Sequence, residues 1–280
     1  MIPPTSIDGT DITGATIDGT DVTEITVDGD VVFKAVEPFN IEDQTFDTSI
    51  NSQDSFPSGI AWNDDGSRLY EIAGAPGRIY QYTVSTPYDI SSASFDTDIN
   101  AQDFISTGIA WNDDGSRLYE TGNDADKIYQ YTVSTPYEIT SASFDTDINA
   151  QDKEPQDIIW NDDGSQMYEV GSDQERIYQY SVSTPYDITT ASFSTFLSTQ
   201  DTIPAGIRWN NDGTRLYEVD FSSDEIYQYT VSTPYDVTSA TLSSSINSQD
   251  SSPQGIAWND DGTRFYEVGN GSDKIYQYTL

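Results

Sequence analysis

One phrase recurs along the chain and constrains its fold more than any other feature. It reads GIAWNDDGSRLYE over residues 59–71 and returns four times at a step of 49 residues. A second phrase, IYQY at 79–82, keeps the same step. A period of roughly 40 to 50 residues that holds several short strands is typical of β-propeller blades. Every tryptophan falls in this series: Trp62, Trp111, Trp160, Trp209 and Trp258.

Each unit contains four runs rich in tyrosine, isoleucine, valine and threonine, which strands favour. We label the predicted strands A to D, from the inner to the outer edge of a four-stranded antiparallel blade. In the first unit they are expected at about 58–63, 68–73, 78–84 and 93–98. NDDG at 63–66 predicts the turn from A to B, and STPYD at 85–89 the turn from C to D.

The last unit ends at Leu280, just after its strand C, so its strand D has to come from elsewhere. TFDT at 45–48 lies one period before SFDT at 94–97. The N-terminal side is therefore predicted to supply the outer strand of the last blade. Four complete units and this divided one predict an all-β fold, a five-bladed β-propeller whose closed ring protects the sheet edges.

A smaller repeat precedes the propeller: Asp-Gly follows a β-branched residue at 7–9, 17–19 and 27–29. This pattern predicts tight turns between short strands. The segment has too few apolar residues for a core of its own. It is either a flexible or edge-packed arm, or a docking and oligomerisation arm that completes its core on another chain. We predict the second, with the arm at 1–38, a linker at 37–40 and the propeller at 39–280.

The formal net charge is −37, and the chain has no histidine or cysteine. So strong a negative charge argues against nucleic acid and anionic membranes as partners, because their phosphates would be repelled. It suits a high-salt habitat, where screening removes most of the self-repulsion. We see no Sec signal and no apolar run of membrane-spanning length, so no membrane insertion is expected. An extracellular role would need another exit route, such as release inside a virus particle.

The phrases GIAWNDDGSRLY and IYQYTVSTPYDI resemble the YVTN/NHL-like propeller repeat, whose usual form is close to GIAFSPDGTKLY. The subtype ending in STPYDI is similar to one found in virion-associated and tail-fibre-like proteins of phages and in large bacterial surface proteins. The resemblance covers the propeller region and implies the propeller fold. Together with the acidic surface it implies a protein on the virion surface of a virus of halophilic archaea. The Asp-Gly-rich N-terminus resembles the docking arm of a virion structural protein.

Three sets of carboxylates repeat with the blades. The NDDG copies lack the spacing of a calcium loop and are explained by turn chemistry. The aspartates of the D–A connections could form a ring that binds a cation near the channel, but acceptance of backbone N–H bonds in their own turns is favoured. The strand-B glutamates follow an arginine or glutamine by three residues, and some are expected to form ion pairs between blades. The last two sets are Asp54, Asp103, Asp152, Asp201 and Asp250, and Glu71, Glu120, Glu169, Glu218 and Glu267.

The repetition argues against an enzyme, because catalysis requires an acid and a base in different environments. Every prominent carboxylate recurs in each blade, and there is no histidine base, nucleophile elbow or phosphate loop. We therefore predict no catalytic residue, no metal and no cofactor. The tryptophans are predicted to be core residues wedged between blades.

The copies differ mainly in the D–A and B–C connections, which should share one face of an up-and-down blade. We call this the variable face, and the face of the A–B and C–D turns the uniform face. Ligand sites are commonly built on loops held by a rigid scaffold. Apolar loop residues suggest a recognition patch, while neutral drift of loops remains the alternative. The predicted ligand-binding residues are Phe56, Phe104, Ile105, Lys153, Glu154, Ile203, Phe221, Asn123 and Asp173.

These observations predict a non-enzymatic virion surface protein, tail-fibre or capsid-associated, that presents its variable face to a host-surface glycan or glycoprotein. Residues 1–38 would bind other virion structural proteins, or further copies in a homo-oligomer. A purely structural decoration of capsid or tail is the first alternative. A polysaccharide-cleaving propeller enzyme and a cellular surface protein with the same repeat are the others.

Overall fold

Each repeat folds into four antiparallel strands whose burial follows their place in the blade. The computed structural model describes residues 16–17, 20–21, 24–27, 30–34 and 37–280. Strand B of the first blade is buried over five of its six residues, because neighbouring blades cover both of its faces. The outer strand of the same blade has no buried residue, because it forms the free edge of the sheet.

The arm contains β1 (Thr16–Ile17), β2 (Thr20–Asp21), β3 (Glu24–Val27) and β4 (Asp30–Lys34). The propeller strands are β5 (Thr45–Asn51), β6 (Pro57–Trp62), β7 (Arg68–Ala73), β8 (Arg78–Val84), β9 (Ala93–Asn100), β10 (Ser106–Trp111), β11 (Arg117–Gly122), β12 (Lys127–Val133), β13 (Ala142–Asn149), β14 (Pro155–Trp160), β15 (Gln166–Gly171), β16 (Arg176–Val182), β17 (Ala191–Ser198), β18 (Pro204–Trp209), β19 (Arg215–Asp220), β20 (Glu225–Val231), β21 (Ala240–Asn247), β22 (Pro253–Trp258), β23 (Arg264–Gly269) and β24 (Lys274–Thr279). Single-turn 3₁₀ helices span Ile41–Asp43, Ile90–Ser92, Ile139–Ser141, Ile188–Thr190 and Val237–Ser239.

The sheets form a closed ring of five blades, which confirms the predicted fold. Blades 1 to 4 are β6–β9, β10–β13, β14–β17 and β18–β21, each hydrogen-bonded in sequence order. Blade 5 has the order β22-β23-β24-β5, so an N-terminal strand completes it as predicted. Phe46 of β5 pairs with Tyr278, and its ring lies 6.3 Å from that of Tyr276. The innermost strands contact one another in order, and β22 contacts β6.

The hydrophobic core lies between the blades. Five buried clusters are present in the described chain, and each takes its residues from two neighbouring blades. Tyr70 of blade 1 and Leu118 of blade 2 share one such cluster, and Tyr266 of blade 5 and Ile60 of blade 1 share another. No blade can therefore bury its apolar faces without its neighbours.

The tryptophans lie between blades, as predicted. The ring of Trp111 in blade 2 is 4.8 Å from that of Tyr70 in blade 1 and 5.3 Å from that of Tyr137 in its own C–D turn. Both pairs are tilted, which is a favourable geometry for aromatic rings. The other four tryptophans pack in the same way.

An aromatic residue, tyrosine in blades 1 to 4 and Phe39 in blade 5, holds each A–B turn against the C–D turn of its blade. Gly66 has φ of +68°, and a Cβ atom there would lie 2.3 Å from the ring of Tyr88. The backbone N–H of Tyr88 donates to the Gly66 carbonyl over 3.0 Å. Glycine is thus required at this position for two reasons: the backbone is left-handed there, and the ring of Tyr88 leaves no room for a Cβ atom.

The same tyrosines also bind the neighbouring blade. The hydroxyl of Tyr137 in blade 2 donates to Asp64 of blade 1 over 2.5 Å. At the junction of blades 4 and 5 both partners differ: Asn211 takes the aspartate position and Phe39 the tyrosine position. Asn211 donates to the carbonyl of Asp260 instead. Carboxylate and hydroxyl are thus lost together at one junction.

The prediction that residues 37–40 form a linker is wrong. Phe39 lies 5.4 Å from the Trp258 ring, and its N–H donates to Gly262 over 2.9 Å. These residues serve as the C–D connection of blade 5. A sequence signal existed, because PFNI at 38–41 lies one period before PYDI at 87–90.

In the arm, β1 pairs with β2 and β3 with β4, both antiparallel, across the second and third Asp-Gly pairs. This agrees with the predicted short strands joined there. The first Asp-Gly, at 8–9, lies outside the described residues. No helix in the described chain has the length and apolar character needed to cross a membrane.

Replacement of Trp111 by alanine should lower the free energy of unfolding by about 3–5 kcal/mol. The substitution empties the space between Tyr70 and Tyr137 at the junction of two blades. Thermal and denaturant unfolding in high salt would measure the loss. A nearly unchanged unfolding transition would mean that Trp111 is not a core residue.

The Asp–Tyr bond between blades can be tested by restoring the missing pair. The double variant Phe39→Tyr with Asn211→Asp should have a free energy of unfolding that is about 0.5–3 kcal/mol higher than the sum of the two single effects would give. Asn211→Asp alone adds a charge to an acidic ring, whereas the double variant adds its hydrogen-bond donor as well. A double-mutant cycle from denaturant unfolding gives the coupling energy. Additive effects would mean that these hydroxyls contribute nothing to the blade junction.

Candidate functional site

The D–A and B–C connections share one face, as predicted. In blade 2 the N–H of Asn123 donates to the carbonyl of Ile105 over 2.8 Å, and in blade 4 that of Phe221 donates to Ile203 over 2.9 Å. The two connections of each blade are therefore neighbours. The A–B and C–D turns lie together at the other end of the strands, where Tyr88 binds Gly66.

The predicted ligand-binding residues spread over blades 1 to 4 of the variable face. The exposed apolar ones are Phe56 (55 %), Phe104 (59 %), Ile105 (38 %) and Ile203 (40 %). Phe221 is half-buried beside Ile203. The polar members Lys153, Glu154 and Asp173 are exposed, and Asn123 is half-buried. The structure brings them together as pairs within blades 2, 3 and 4.

A groove on this face lies between blades 4 and 5, and the sequence analysis missed it. Its walls are the B–C connection at Ser223 and Asp224 and the D–A connection at 247–251. None of the nine predicted residues lines it. Polar side chains and small residues make it unlike the apolar positions singled out from the sequence.

In four of the five D–A connections the aspartate accepts a backbone N–H of its own turn, as favoured, whereas in blade 4 the equivalent N–H of Ile203 donates to Asp220. The carboxylate of Asp103 accepts the N–H groups of Ile105, Asp124 and Ala125 over 3.0 to 3.1 Å, and the hydroxyl of Tyr129 over 3.0 Å. It thus ties the D–A connection to the B–C loop of its blade. In the described part of the chain no group of three or more carboxylates is arranged to hold a metal ion.

The prediction that strand-B glutamates form ion pairs between blades is wrong. Glu120 is buried and accepts the N–H of Gln102 (3.0 Å), the N–H of Asp103 (2.9 Å), the hydroxyl of Ser106 (2.8 Å) and the hydroxyl of Tyr131. The strand-B arginines point to the next blade instead.

Arg68 donates to the Tyr137 carbonyl over 2.6 Å and pairs with Glu138 over 3.2 Å. The glutamates fail as partners because they lie within their own sheet, bonded to the D–A connection.

Glu218 is the exception among these glutamates. In blade 4, Asp220 takes a position that is glycine or alanine elsewhere, and its carboxylate accepts the N–H groups of Ile203 (3.0 Å) and Ser222 (2.7 Å). Glu218 still accepts a hydrogen bond from the hydroxyl of Tyr229, but its Oε1 is buried without a partner in the described chain. Burial raises the pKa of Glu218 to about 8, and the charges of Asp220 and Asp201 add to the shift.

The uniform face holds a second site that the sequence analysis missed. A cavity of about 230 Å³, the axial pocket, opens where the five innermost strands end. Its wall is formed by the five tryptophans, and the residue two positions further on in each blade forms its rim. The rim consists of Asp64, Asp113, Asp162, Asn211 and Asp260.

The rim carboxylates repel one another. Burial raises the pKa of Asp64, the hydroxyl of Tyr137 opposes the shift, and the charges of Asp260 and Asp113 add to it. The equal spacing of tryptophan and NDDG was the available signal, because equivalent strand ends must converge on the axis of a ring.

Two residues of the innermost strands break the symmetry, and the sequence analysis missed both. Asp157 stands where the other blades have glycine, and Arg208 where they have alanine or isoleucine. Asp157 is 3 % exposed and accepts the N–H groups of Ile158 (2.8 Å) and of Ile207 in blade 4 (3.0 Å). Burial raises the pKa of Asp157 to about 6, although the charge of Arg208 opposes the shift.

Arg208 of blade 4 crosses the channel below the axial pocket. Its Nε donates to the carbonyl of Ile256 in blade 5 over 2.9 Å, and its Nη2 to that of Ile60 in blade 1 over 2.8 Å. These bonds use two of the five N–H donors of the guanidinium. Arg208 also contributes to the lining of the pocket, of which it forms the floor.

Comparisons with known proteins support the fold. No protein-family model matches the chain, and no curated protein matches it. Among solved structures, glutaminyl cyclase from Myxococcus xanthus is similar at 12% identity with a TM-score of 0.62, over 85% of this chain and 96% of that one. A candidate 6-phosphogluconolactonase from Bacteroides fragilis is similar at 11% identity with a TM-score of 0.53, over 80% of each chain.

A third similar structure is a functionally unknown protein from Desulfotomaculum acetoxidans, at 12% identity with a TM-score of 0.48 over 76% of this chain. The match spans 62% of that protein, less than two thirds of its length. At these identities the similarity concerns the fold, which is a β-propeller resembling the YVTN and lactonase type.

Glu218→Gln should change how stability depends on pH. Because the pKa of Glu218 is raised in the folded protein, its contribution is present at pH values below 4.5 and is lost as the pH rises to about 8. Glutamine stays neutral, so the free energy of unfolding of the variant should fall by about 3–5 kcal/mol less than that of the native protein over this pH range. Denaturant unfolding between pH 5 and about 8.5 would measure the difference.

Glu120→Gln is the matched control, because the same strand position there accepts four hydrogen bonds. An amide would turn a donor toward these donors, so Glu120→Gln should cost about 1–3 kcal/mol at pH 6. Glu218→Gln should instead be more stable than the native protein at that pH by about 2 kcal/mol, because native Glu218 must take up a proton on folding at pH values above 4.5. Equal losses in the two variants would contradict the account of blade 4.

Proposed function

We propose that this chain is a non-enzymatic protein on the virion surface of a virus of halophilic archaea, and that its variable face recognises a glycan or glycoprotein of the host surface. The observation that carries the proposal is the exposure of Phe56 and Phe104, in equivalent loops of adjacent blades. More than half of each side chain is accessible. An acidic, strongly hydrated surface gains nothing from bare phenylalanine unless a partner covers it.

The apolar groups stand on a rigid support. Asp103 holds the loop that carries Phe104 and Ile105 through three backbone N–H bonds and a tyrosine hydroxyl. A preordered loop loses little conformational freedom on binding. The paired loops of blades 2, 3 and 4 place apolar, basic and acidic groups around the same face, which suits a partner of mixed chemistry such as a glycoprotein.

The virion assignment is supported by the resemblance of the STPYDI repeat to virion-associated proteins and by the net charge of −37. In this proposal residues 1–38 dock to other virion structural proteins or to further copies of the chain. The variable face is then directed away from the particle.

Purely structural decoration of capsid or tail is the second candidate, and the outer strands favour it. Each blade exposes one apolar side chain at the same position of strand D, which would let propellers pack side by side. These residues are Phe46, Phe95, Phe144, Phe193 and Leu242, and they are 42 to 50 % exposed.

A polysaccharide-cleaving enzyme is the third candidate. Two of the similar folds bear enzyme names, and Asp157 supplies an unrepeated carboxylate near the axis. Its two oxygens each accept a backbone N–H, and it is 3 % exposed. A carboxylate so enclosed has no access to a polymer, and this supports the non-enzymatic proposal.

The double variant Phe56→Asp with Phe104→Asp should weaken binding of the purified, labelled protein to host cells by about tenfold or more, as expected when two central apolar anchors are removed. Phe95→Asp on the outer strand is the matched control and should bind normally. The measurement is saturation binding in high salt over a panel of halophilic archaea.

Absence of saturable binding to every strain would count against host recognition. Loss of particle incorporation in Phe95→Asp, with cell binding intact in the double variant, would favour decoration. Release of sugar from host envelopes would favour the enzyme.

A further inference from the structure

The axial pocket carries opposite charges at its two ends. Its rim holds the carboxylates of Asp64, Asp113, Asp162 and Asp260, and its floor is the guanidinium of Arg208. The rim residue of blade 4, Asn211, lies three residues beyond Arg208, in the turn that follows the end of β18 at Trp209. Because an extended chain spans at most about 3.6 Å per residue, floor and rim are at most about 11 Å apart in this blade. The guanidinium and the rim carboxylates therefore favour a ligand with a negative inner end and a positive outer end, although the buried Asp157 reduces the field at the floor.

The wall of the axial pocket is aromatic, because all five tryptophans line it. The indole nitrogens of all five tryptophans are buried and unpaired in the described chain. Trp209 and Trp258 are only 7 % and 8 % exposed, and both line the pocket. Because these nitrogens are closed off from a water molecule, the tryptophans present ring carbons and not N–H groups to the pocket, a surface that suits the methylene groups of a ligand.

We propose that the axial pocket binds a small linear zwitterion, with its carboxylate toward Arg208 and its ammonium group among the rim aspartates. A cation alone would satisfy the rim but leave the remaining N–H donors of Arg208 without an acceptor. An anion alone would have to pass four carboxylates. A molecule with both charges, separated by a few methylene groups, satisfies both ends and fits a volume of about 230 Å³.

The blades explain why this site is on the axis. Arg208 occurs in one blade only, so the floor carries a single positive charge beneath a rim that four blades supply. The bonds of Arg208 to Ile256 and Ile60 hold its guanidinium in place before any ligand arrives. The site lies on the uniform face, so it is independent of the recognition proposed for the variable face.

Tryptophan fluorescence is a direct probe, because every tryptophan of the chain lines the axial pocket. We would titrate the full chain at constant high KCl with 4-aminobutanoate and 6-aminohexanoate. Butylammonium and butanoate, each with one of the two charges, are the matched controls. At least one zwitterion should give a saturable change, with butylammonium at least about tenfold weaker and butanoate without saturation.

Two rim variants should move the affinity in opposite directions. Asp113→Asn should weaken zwitterion binding by about three- to tenfold, and Asn211→Asp, which completes the ring of carboxylates, should strengthen it by a similar factor. Asp173→Asn makes the same change on the variable face and should have no effect.

Three results would overturn the proposal. The first is no saturable signal with any zwitterion. The second is equal affinity for butylammonium and the zwitterions, which would exclude Arg208 from the site. The third is an equal response of Asp113→Asn and Asp173→Asn, which would reduce the effect to net charge. Because Asn211→Asp predicts a gain, a folding defect cannot imitate its result.

Discussion

Packing between neighbouring blades is the interaction on which the rest of the structure depends. A single sheet of four strands buries little by itself, and here every buried cluster in the described chain draws on two blades. An aromatic stack such as Tyr70, Trp111 and Tyr137 therefore belongs to a junction and not to a blade. The pairing of the N-terminal strand β5 with β24 follows from this, because an open ring would leave the junction between blades 5 and 1 unpacked.

Polar groups strengthen the same junctions. The side chain of Gln81 accepts the N–H of Ile139 in the next blade over 3.1 Å, and the equivalent Gln277 accepts that of Ile90 over 3.0 Å, which carries the pattern across the closure. Arg68 reaches the Tyr137 carbonyl in the same manner. With only 11 basic residues against 48 acidic ones, the chain uses much of its positive charge to connect blades. Bonds from arginine to backbone carbonyls do not depend on a partner charge, so salt weakens them less than it weakens ion pairs.

Departures from the repeat are where individual function can arise. The variable loops differ in what they expose, whereas Asp157 and Arg208 differ in what they bury along the axis. Asn211 and Phe39 show that a departure in one blade is matched by its neighbour, because the Asp–Tyr bond spans two units. The two proposed sites accordingly lie at opposite ends of the same strands and rest on different sets of residues.

The sequence by itself determined the number of blades, the strands of each blade and the donor of the closing strand. The step of 49 residues and the alternating apolar runs can be read from the sequence alone. It also separated the two faces, because hairpin connectivity alone assigns loops to ends. The tertiary structure decided what the charged groups do. Glu120 pairs with its own loop and not with an arginine, and PFNI closes the ring instead of linking it. Only the ring brings four rim aspartates above Arg208, because side chains about 50 residues apart in sequence become neighbours when equivalent strands share one axis.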